Sequence, residues 1–151
     1  MTPSAVDREV VERHLVAIEE AVDTLRRFQN LAAEALSADV ATRWAIERGL
    51  LLCTQNALDV AAHVLAATGR EAREYAQVID ALGRSGVLPA AFAARFRGVA
   101  GFRNVLVHAY LDVDPTIVHD VLVNHLDEFV AFATHIQRWL DRDAPGTSGS
   151  G

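Results

Sequence analysis

The sequence predicts an all-α fold, an up-and-down bundle of four to five helices. Apolar residues recur at spacings of three and four over long stretches, which is the period of an amphipathic helix. No segment alternates apolar and polar residues as a half-buried strand does. Short runs that contain Gly, Pro, Ser or Asp separate the periodic stretches, and such runs are typical of helix ends and helix starts.

The first two helical stretches begin and end at recognisable signals. Ser4 and Asp7 precede the first helix as an N-cap hydroxyl and an acid of the first turn. Residues 37–39 separate it from the second helix, which ends at Thr68-Gly69. The inner stripes are predicted to be Val11, Leu15, Ile18, Val22, Leu25, Ala32 and Leu36 in the first helix, and Ile46, Leu50, Cys53, Ala57, Val60 and Val64 in the second.

Further helices are predicted in the second half of the chain. A shorter helix is expected over residues 71–82, closed by glycines. Pro89 lies in the first turn of the next helix, where its missing N–H costs nothing. Asp114-Pro115 predicts the start of the last helix, with an Asp cap and Pro at the first helical position. The core-facing residues expected in these last two helices are Phe92, Phe96, Val99, Leu106, Val118, Leu122, His125, Phe129, Phe132 and Ile136.

Length and composition favour one helical domain of the cytoplasm. The 151 residues, 51% of them hydrophobic, suffice for one core, and we expect it over residues 1–143. Residues 144–151, rich in Gly and Ser, are expected to be a flexible tail. The single cysteine, Cys53, excludes an internal disulfide and suits a reducing compartment. No signal peptide is apparent, and no stretch approaches the ~20 apolar residues of a membrane span.

The charge argues against broad binding to nucleic acids. The net charge is −6, whereas phosphate contacts usually accompany a basic surface. All 14 basic residues are Arg, the residue that binds phosphate through two parallel hydrogen bonds. The composition therefore leaves room for a small, local phosphate site.

Most other polar candidates have structural explanations. Asp59 and His63 lie four apart on the second helix, where a carboxylate can orient an imidazole for chemistry or form a structural hydrogen bond. His119, His125 and His135 share the last helix, but their spacings of six and ten suit no metal site. Glu-x-x-His pairs and a glycine-rich phosphate loop are also missing. We expect no metal and no cofactor.

Residues 101–110 (GFRNVLVHAY) are the exception, because polar side chains interrupt a run of core-type residues. In a helix, Asn104 and His108 lie on nearly the same face, whereas Arg103 and His108 are about 140° apart. Arg103 and His108 converge if the helix ends near Tyr110, or if two copies face each other in a symmetric dimer. From spacing alone, a polar seam with Arg103 paired to a carboxylate and His108 buried is the more frequent explanation.

The pattern from Arg103 to Tyr110, Arg-Asn-x3-His-x-Tyr, resembles the Arg-x4-6-His signature of HEPN ribonucleases, in the Arg-x4-His-x-Tyr form of HepT toxins. The similarity continues outside this motif and covers roughly residues 6–140. Further segments resemble the second helix of that family, its Gly-Val-Leu turn and its entry to the last helix, and these are residues 45–52, 57–65, 78–88 and 112–118.

The resemblance implies a homodimeric, HEPN-like toxin of a type VII toxin–antitoxin system, an endoribonuclease that cleaves tRNA or mRNA without a metal. Arg103 and His108 would be catalytic, with Asn104 in support. The implied partner is a minimal nucleotidyltransferase antitoxin of the MntA type, which silences the toxin by transferring AMP to Tyr110. Glu47 matches the family's second helix and is expected to help place Arg103. The alternative is a non-catalytic helical module that binds a nucleotidyltransferase or a nucleotide.

Overall fold

The computed structural model describes residues 6–108 and 113–142. These residues form eight helices joined by loops, and no strand occurs among them. The all-α prediction is therefore confirmed. The expected tail, residues 144–151, lies outside the described residues, as does Ser4. The helices are α1 (Arg8–Arg26), α2 (Ala33–Ala38), α3 (Val40–Ala67), α4 (Tyr75–Arg84), α5 (Ala90–Phe96), α6 (Val99–His108), α7 (Pro115–Asn124) and α8 (Leu126–Arg142).

The five predicted helical regions all contain helix, and three of them contain a break. The helix expected over residues 71–82 begins later than predicted, at Tyr75. Residues 27–32 separate α1 from α2, and Arg97-Gly98 separate α5 from α6. A single residue, His125, separates α7 from α8, with φ −122° and ψ 0°. The apolar spacing runs on through each break, because both halves pack against the same core. Periodicity therefore located the helical regions without revealing that they are divided.

Aspartate side chains cap three of the helices. The Asp7 carboxylate accepts a hydrogen bond from the backbone N–H of Val10 at 3.1 Å. Asp39 caps α3 in the same way, and Asp114 accepts from the backbone N–H of Thr116 at 2.9 Å. Each carboxylate satisfies a donor that the first helical turn leaves unpaired. Asp7 is thus the cap of the first helix rather than an acid inside it, and the Asp114 cap is confirmed.

Helix α3 is the centre of the bundle. It packs against α1, α2, α4, α6, α7 and α8. By length and composition alone α3 could cross a membrane, which the sequence-based expectation missed. More than half of its most apolar stretch is buried against the other helices, as in the core helix of a globular bundle. Its apolar character therefore follows from its contacts on nearly every side.

The predicted core residues are buried except at three positions, since Ala32 is exposed and Leu106 and His125 are only partly buried. Two glycines allow the helices around α3 and α4 to approach closely. A Cβ atom on Gly49 would lie 2.7 Å from the Leu25 side chain of α1. A Cβ on Gly83 of α4 would lie 2.6 Å from the Cβ of Ala93 in α5. Both distances are too short for a real Cβ contact, so larger residues at these positions would push the helices apart.

An aromatic cluster fixes the segment that leads into α6. The ring of Phe96, at the end of α5, stacks on Phe132 of α8 with centroids 5.0 Å apart. It also stacks on Phe92 at 5.1 Å and meets Phe129 edge-on at 5.9 Å. Such contacts combine large apolar burial with a preferred ring geometry. The start of α6, three residues after Phe96, is therefore held close to the core.

Candidate active site

Helix α6 carries three of the four site residues that the sequence predicts. Arg103 is partly buried where α6 packs against α3 and α4, and Asn104 is exposed beside it. His108 is the last residue of α6 and is exposed. Tyr110, the predicted site of AMP attachment, lies outside the described residues. The described residues thus place the arginine and the histidine at different positions along one helix.

The Arg103 side chain is held by three neighbours, none of which carries a charge. Its Nε–H donates to Oε1 of Gln55 in α3 at 3.0 Å. One Nη1–H donates to Oδ1 of Asn104 at 3.3 Å. The guanidinium carbon lies 5.6 Å from the ring centroid of Tyr75, within range for a cation–π interaction. In the part of the chain that the structure describes, no carboxylate forms an ion pair with Arg103.

Gln55 and Tyr75, which the sequence analysis did not identify, belong to a wider hydrogen-bond network. The Nε2 amide of Gln55 donates to Oδ1 of Asp59, one turn further along α3, at 2.8 Å. It also lies 3.3 Å from the hydroxyl oxygen of Tyr75 at the start of α4. The only signal for this network in the sequence was a pair of polar residues, Gln55 and Asp59, four apart on a largely apolar helix. Nothing in the sequence pointed to Tyr75.

His108 is in a very different environment from Arg103. It makes no hydrogen bond to any other described residue. Because α6 is unbroken from Val99 to His108, the two side chains leave the helix about 140° apart and about 7.5 Å apart along its axis. The polar seam that spacing alone favours does not fit this arrangement, since Arg103 contacts an amide and a ring, and His108 is exposed.

The contacts of two further polar residues differ from a simple pairing along α3. Glu47 forms an ion pair with Arg43 on its own helix at 3.7 Å, and Gln55, two turns further along α3, accepts a hydrogen bond from Arg103. His63 accepts a hydrogen bond from the backbone N–H of Asp7 at 3.2 Å. The carboxylate of Asp59 is bound to Gln55 instead.

The remaining imidazoles and the thiol have structural surroundings. His119 contacts the carbonyl oxygen of Leu31 at 2.9 Å. His135 packs on the ring of Phe92 at 4.9 Å between centroids, and burial, followed by the nearby Arg138 and Arg95, lowers its pKa. Burial raises the pKa of Cys53 to about 12, which keeps the thiol protonated. Among the described residues, no three His, Cys, Asp or Glu side chains converge as metal ligands would.

Two surface grooves lie away from Arg103 and His108. A groove of about 720 Å³ runs between α1 and α8. A second, of about 370 Å³, lies between α6 and the α7–α8 pair, against Phe102 and Val105. Neither is lined by Arg103 or His108. Neither groove is therefore part of the candidate site.

Comparison with known proteins identifies related sequences. A family model described as "Ribonuclease HepT-like" matches residues 18–136, which include all the residues of the network and the motif. A tRNA nuclease HepT from Aphanizomenon flos-aquae (strain 2012/KM1/D3) is 28% identical over 133 residues, which are 87% of this chain and 90% of that protein.

Solved structures share the same fold at low sequence identity. One is a tri-AMPylated HEPN toxin from Shewanella oneidensis in complex with an MNT antitoxin, with a TM-score of 0.77 and 17% identity over 87% of this chain and 98% of that one. A toxin–antitoxin structure with AMP-PNP has a TM-score of 0.78 and 16% identity over 87% and 99% of the two chains. The cytosolic protein YutE from Bacillus subtilis has a TM-score of 0.78 and 19% identity over 94% and 95%.

Proposed function

This chain belongs to the HepT-like ribonuclease family, and we propose from that premise that it is the toxin of a type VII toxin–antitoxin pair, an endoribonuclease that needs no metal. Arg103 and His108 are its proposed catalytic residues, and Asn104 supports them. One observation carries the assignment. An arginine held by uncharged groups, and so with its charge available for an anion, shares α6 with an exposed imidazole.

These residues suit metal-free cleavage of RNA. In the proposed reaction, the ribose 2′-oxygen attacks the adjacent phosphorus and loses its proton, while the bond from phosphorus to the 5′-oxygen breaks and that oxygen gains a proton. A histidine can take or supply these protons. The pentacoordinate intermediate gains negative charge, which a permanently charged guanidinium stabilises. The products are a 2′,3′-cyclic phosphate and a free 5′-hydroxyl.

The proposed substrate is a structured RNA, with tRNA first and mRNA second. The relative from Aphanizomenon flos-aquae is named as a tRNA nuclease. The net charge of −6 disfavours indiscriminate attraction to phosphate backbones, whose binding is mainly electrostatic. A folded RNA can be recognised by its shape, which depends less on nonspecific contacts to phosphates than general binding to nucleic acids does.

We propose that a minimal nucleotidyltransferase of the MntA type silences the toxin by transferring AMP to Tyr110. The related Shewanella toxin is AMPylated and bound to an MNT antitoxin. AMP on Tyr110 would place a bulky anion two residues from His108, where it would compete with an RNA phosphate. A Tyr110→Phe variant should resist modification by the partner and still cleave RNA. Loss of cleavage in that variant would assign the tyrosine a second role.

A homodimer is proposed as the active form, in the cytoplasm. Arg103 and His108 leave one unbroken helix about 140° apart, so they do not aim at one phosphate from the same straight helix. A twofold axis near α6 would bring the arginine of one copy towards the histidine of the other. Size-exclusion chromatography with light scattering tests this, and a monomer that cleaves RNA would exclude it.

The decisive experiment is cleavage of total tRNA in EDTA by purified protein, beside Arg103→Ala and His108→Ala. Mass spectrometry first establishes that Tyr110 carries no AMP. We expect specific fragments ending in a cyclic phosphate from the unaltered protein alone. Induced expression should likewise arrest growth, and His108→Ala should not. Absence of cleavage by unmodified protein on tRNA and mRNA would overturn the proposal in favour of a non-catalytic module that binds the nucleotidyltransferase or a nucleotide.

A further inference from the structure

We infer that Gln55 is a positioning residue, which acts together with Asp59 and Tyr75 to fix how the Arg103 guanidinium is presented to RNA. The inference rests on the proposed ribonuclease function. It predicts that only the end of the guanidinium formed by its two Nη atoms binds the reacting phosphate. It also assigns roles to three residues of α3 and α4 that lie outside the Arg-x4-His-x-Tyr motif.

The first step concerns which Arg103 donors stay free. An arginine has a single Nε–H and four Nη–H donors. The Nε–H of Arg103 is already taken by Oε1 of Gln55, at 3.0 Å. A phosphate therefore cannot bind side-on through Nε and Nη2 without displacing Gln55. The Nη end remains, and its one hydrogen bond among the described residues runs from Nη1 to Oδ1 of Asn104 at 3.3 Å.

The second step concerns the orientation of the Gln55 amide. The oxygen and nitrogen of an amide exchange places when the group flips, so its neighbours decide which one faces a given partner. An ionised Asp59 only accepts hydrogen bonds, and it lies 2.8 Å from Nε2 of Gln55. It therefore holds the NH2 group on its own side and directs the carbonyl oxygen towards Arg103. In a flipped amide, NH2 would face the guanidinium as a second donor.

The third step concerns the plane of the guanidinium. The Tyr75 ring lies 5.6 Å from the guanidinium carbon, while its hydroxyl is 3.3 Å from Nε2 of Gln55. One side chain thus touches both members of the Arg103–Gln55 pair. Tyr75 is the first residue of α4, and α4 is tied to the chain entering α6 by the ion pair of Asp80 with Arg97, at 2.9 Å. The helix that carries the Tyr75 ring is thereby tied to the chain segment that leads into α6.

The consequence is that the protein itself restricts Arg103 before RNA binds. A free arginine has many rotamers, and ordering them in the transition state slows the reaction. Contacts to α3 and α4 impose that order during folding. Asp59 contacts Gln55, and Gln55 in turn contacts Arg103. Asp59 therefore orients the guanidinium through a neutral amide and forms no ion pair with Arg103. The positive charge then remains available to the phosphorane.

The test is steady-state cleavage of tRNA by Gln55→Met, which keeps the shape of the side chain and removes its hydrogen bonds. We expect kcat to fall by about 10- to 100-fold, the effect of a misplaced catalytic group, with KM changed far less. Gln55→Glu retains an acceptor for the Nε–H and should recover part of the loss. Gln77→Met, at an exposed position of α4, is the matched control and should cleave normally.

A second pair of variants covers the case in which Gln55→Met fails to fold. Tyr75→Phe keeps the ring and loses the hydroxyl, whereas Tyr75→Leu loses the ring. We expect Tyr75→Leu to lose clearly more activity than Tyr75→Phe at similar thermal stability. Equal effects of the two substitutions would contradict the stacking role of Tyr75.

Combining Gln55→Met with Arg103→Lys, which lacks the Nε–H but should keep a measurable rate, separates positioning from a general structural effect. If Gln55 acts through the Nε–H of Arg103, Gln55→Met causes no further loss once that donor is gone. An equal loss in both backgrounds would overturn the inference, as would full activity of Gln55→Met while Arg103→Ala is inactive. By contrast, an inactive unaltered protein, or a fully active Arg103→Ala, would refute the proposed function itself.

Discussion

The middle and the C-terminal end of α6 are built differently, although both carry residues of one motif. Arg103 lies among side chains of α3, α4 and α6, whereas His108 ends the helix, exposed and without a hydrogen bond to the other described residues. A group that stabilises charge gains from being held rigidly before the reaction. A group that moves protons must also reach two different oxygens of the substrate. The surroundings of the two residues accord with these roles, because Arg103 is held by neighbouring side chains and His108 is exposed.

The largest effect on the cleavage rate is expected at His108, the exposed last residue of α6. We expect His108→Ala to lower the cleavage rate by about 10²- to 10⁴-fold, the usual contribution of general acid–base catalysis. Its stability should stay within about 0.5 kcal/mol of the unaltered protein, as for most surface substitutions. Cleavage assays and thermal melts measure the two quantities. His125→Ala, at a partly exposed histidine paired with Asp120 and Glu128, is the control, and an equal loss there would refute a special role for His108.

A smaller effect on the cleavage rate, together with a loss of stability, is expected at Arg103. Arg103→Lys keeps the positive charge but removes the Nε–H that donates to Gln55. We expect a loss of about 10²-fold in rate, comparable to removing one donor from an oxyanion site, and about 1 kcal/mol in stability from the broken hydrogen bond. If Arg103→Lys cleaved as fast as the unaltered protein, charge alone would suffice and the geometry would be irrelevant.

A third variant separates the core face of α3 from its site face. Gly49 faces Leu25 of α1 so closely that an added Cβ would lie 2.7 Å away. Gly49→Ala should cost about 1–3 kcal/mol through overpacking, which lowers Tm by several degrees in a chain of this size. The rate of the folded protein should be unchanged, because Gln55 lies almost two turns away. Calorimetry and cleavage at low temperature test this, and a normal Tm would show that α1 moves aside freely.

The smallest effect, on the pH dependence of stability, is expected at His135, which is partly buried whereas His108 is exposed. Burial lowers the pKa of His135, which packs on Phe92. The unfolded chain then takes up a proton more readily than the folded one as pH falls below about 6.5, so stability decreases with acidification through that range. We expect Tm to drop less between about pH 7.5 and about pH 5.5 in His135→Gln. Identical pH dependence of the two proteins would show that His135 contributes nothing.

Much of the fold could be predicted from local pattern. Stripes of apolar residues located all the helical regions, and Asp114-Pro115 marked the start of α7. The breaks at Arg97-Gly98 and at His125 could not be predicted, because two short helices that pack on one core repeat the periodicity of a single long helix. The hydrophobic stripe reports which side faces the core and not whether the helix is continuous.

The sequence by itself determined the helical class, the buried stripes and the family, through the motif that contains Arg103 and His108. Only the tertiary structure decided what surrounds Arg103. Gln55 and Tyr75 lie 48 and 28 residues before it in the chain, and they meet it because α3 and α4 both pack against α6. Side-chain spacing within one helix is set by helical geometry, whereas contacts between helices depend on how their faces pack, for which these polar residues gave little or no local signal.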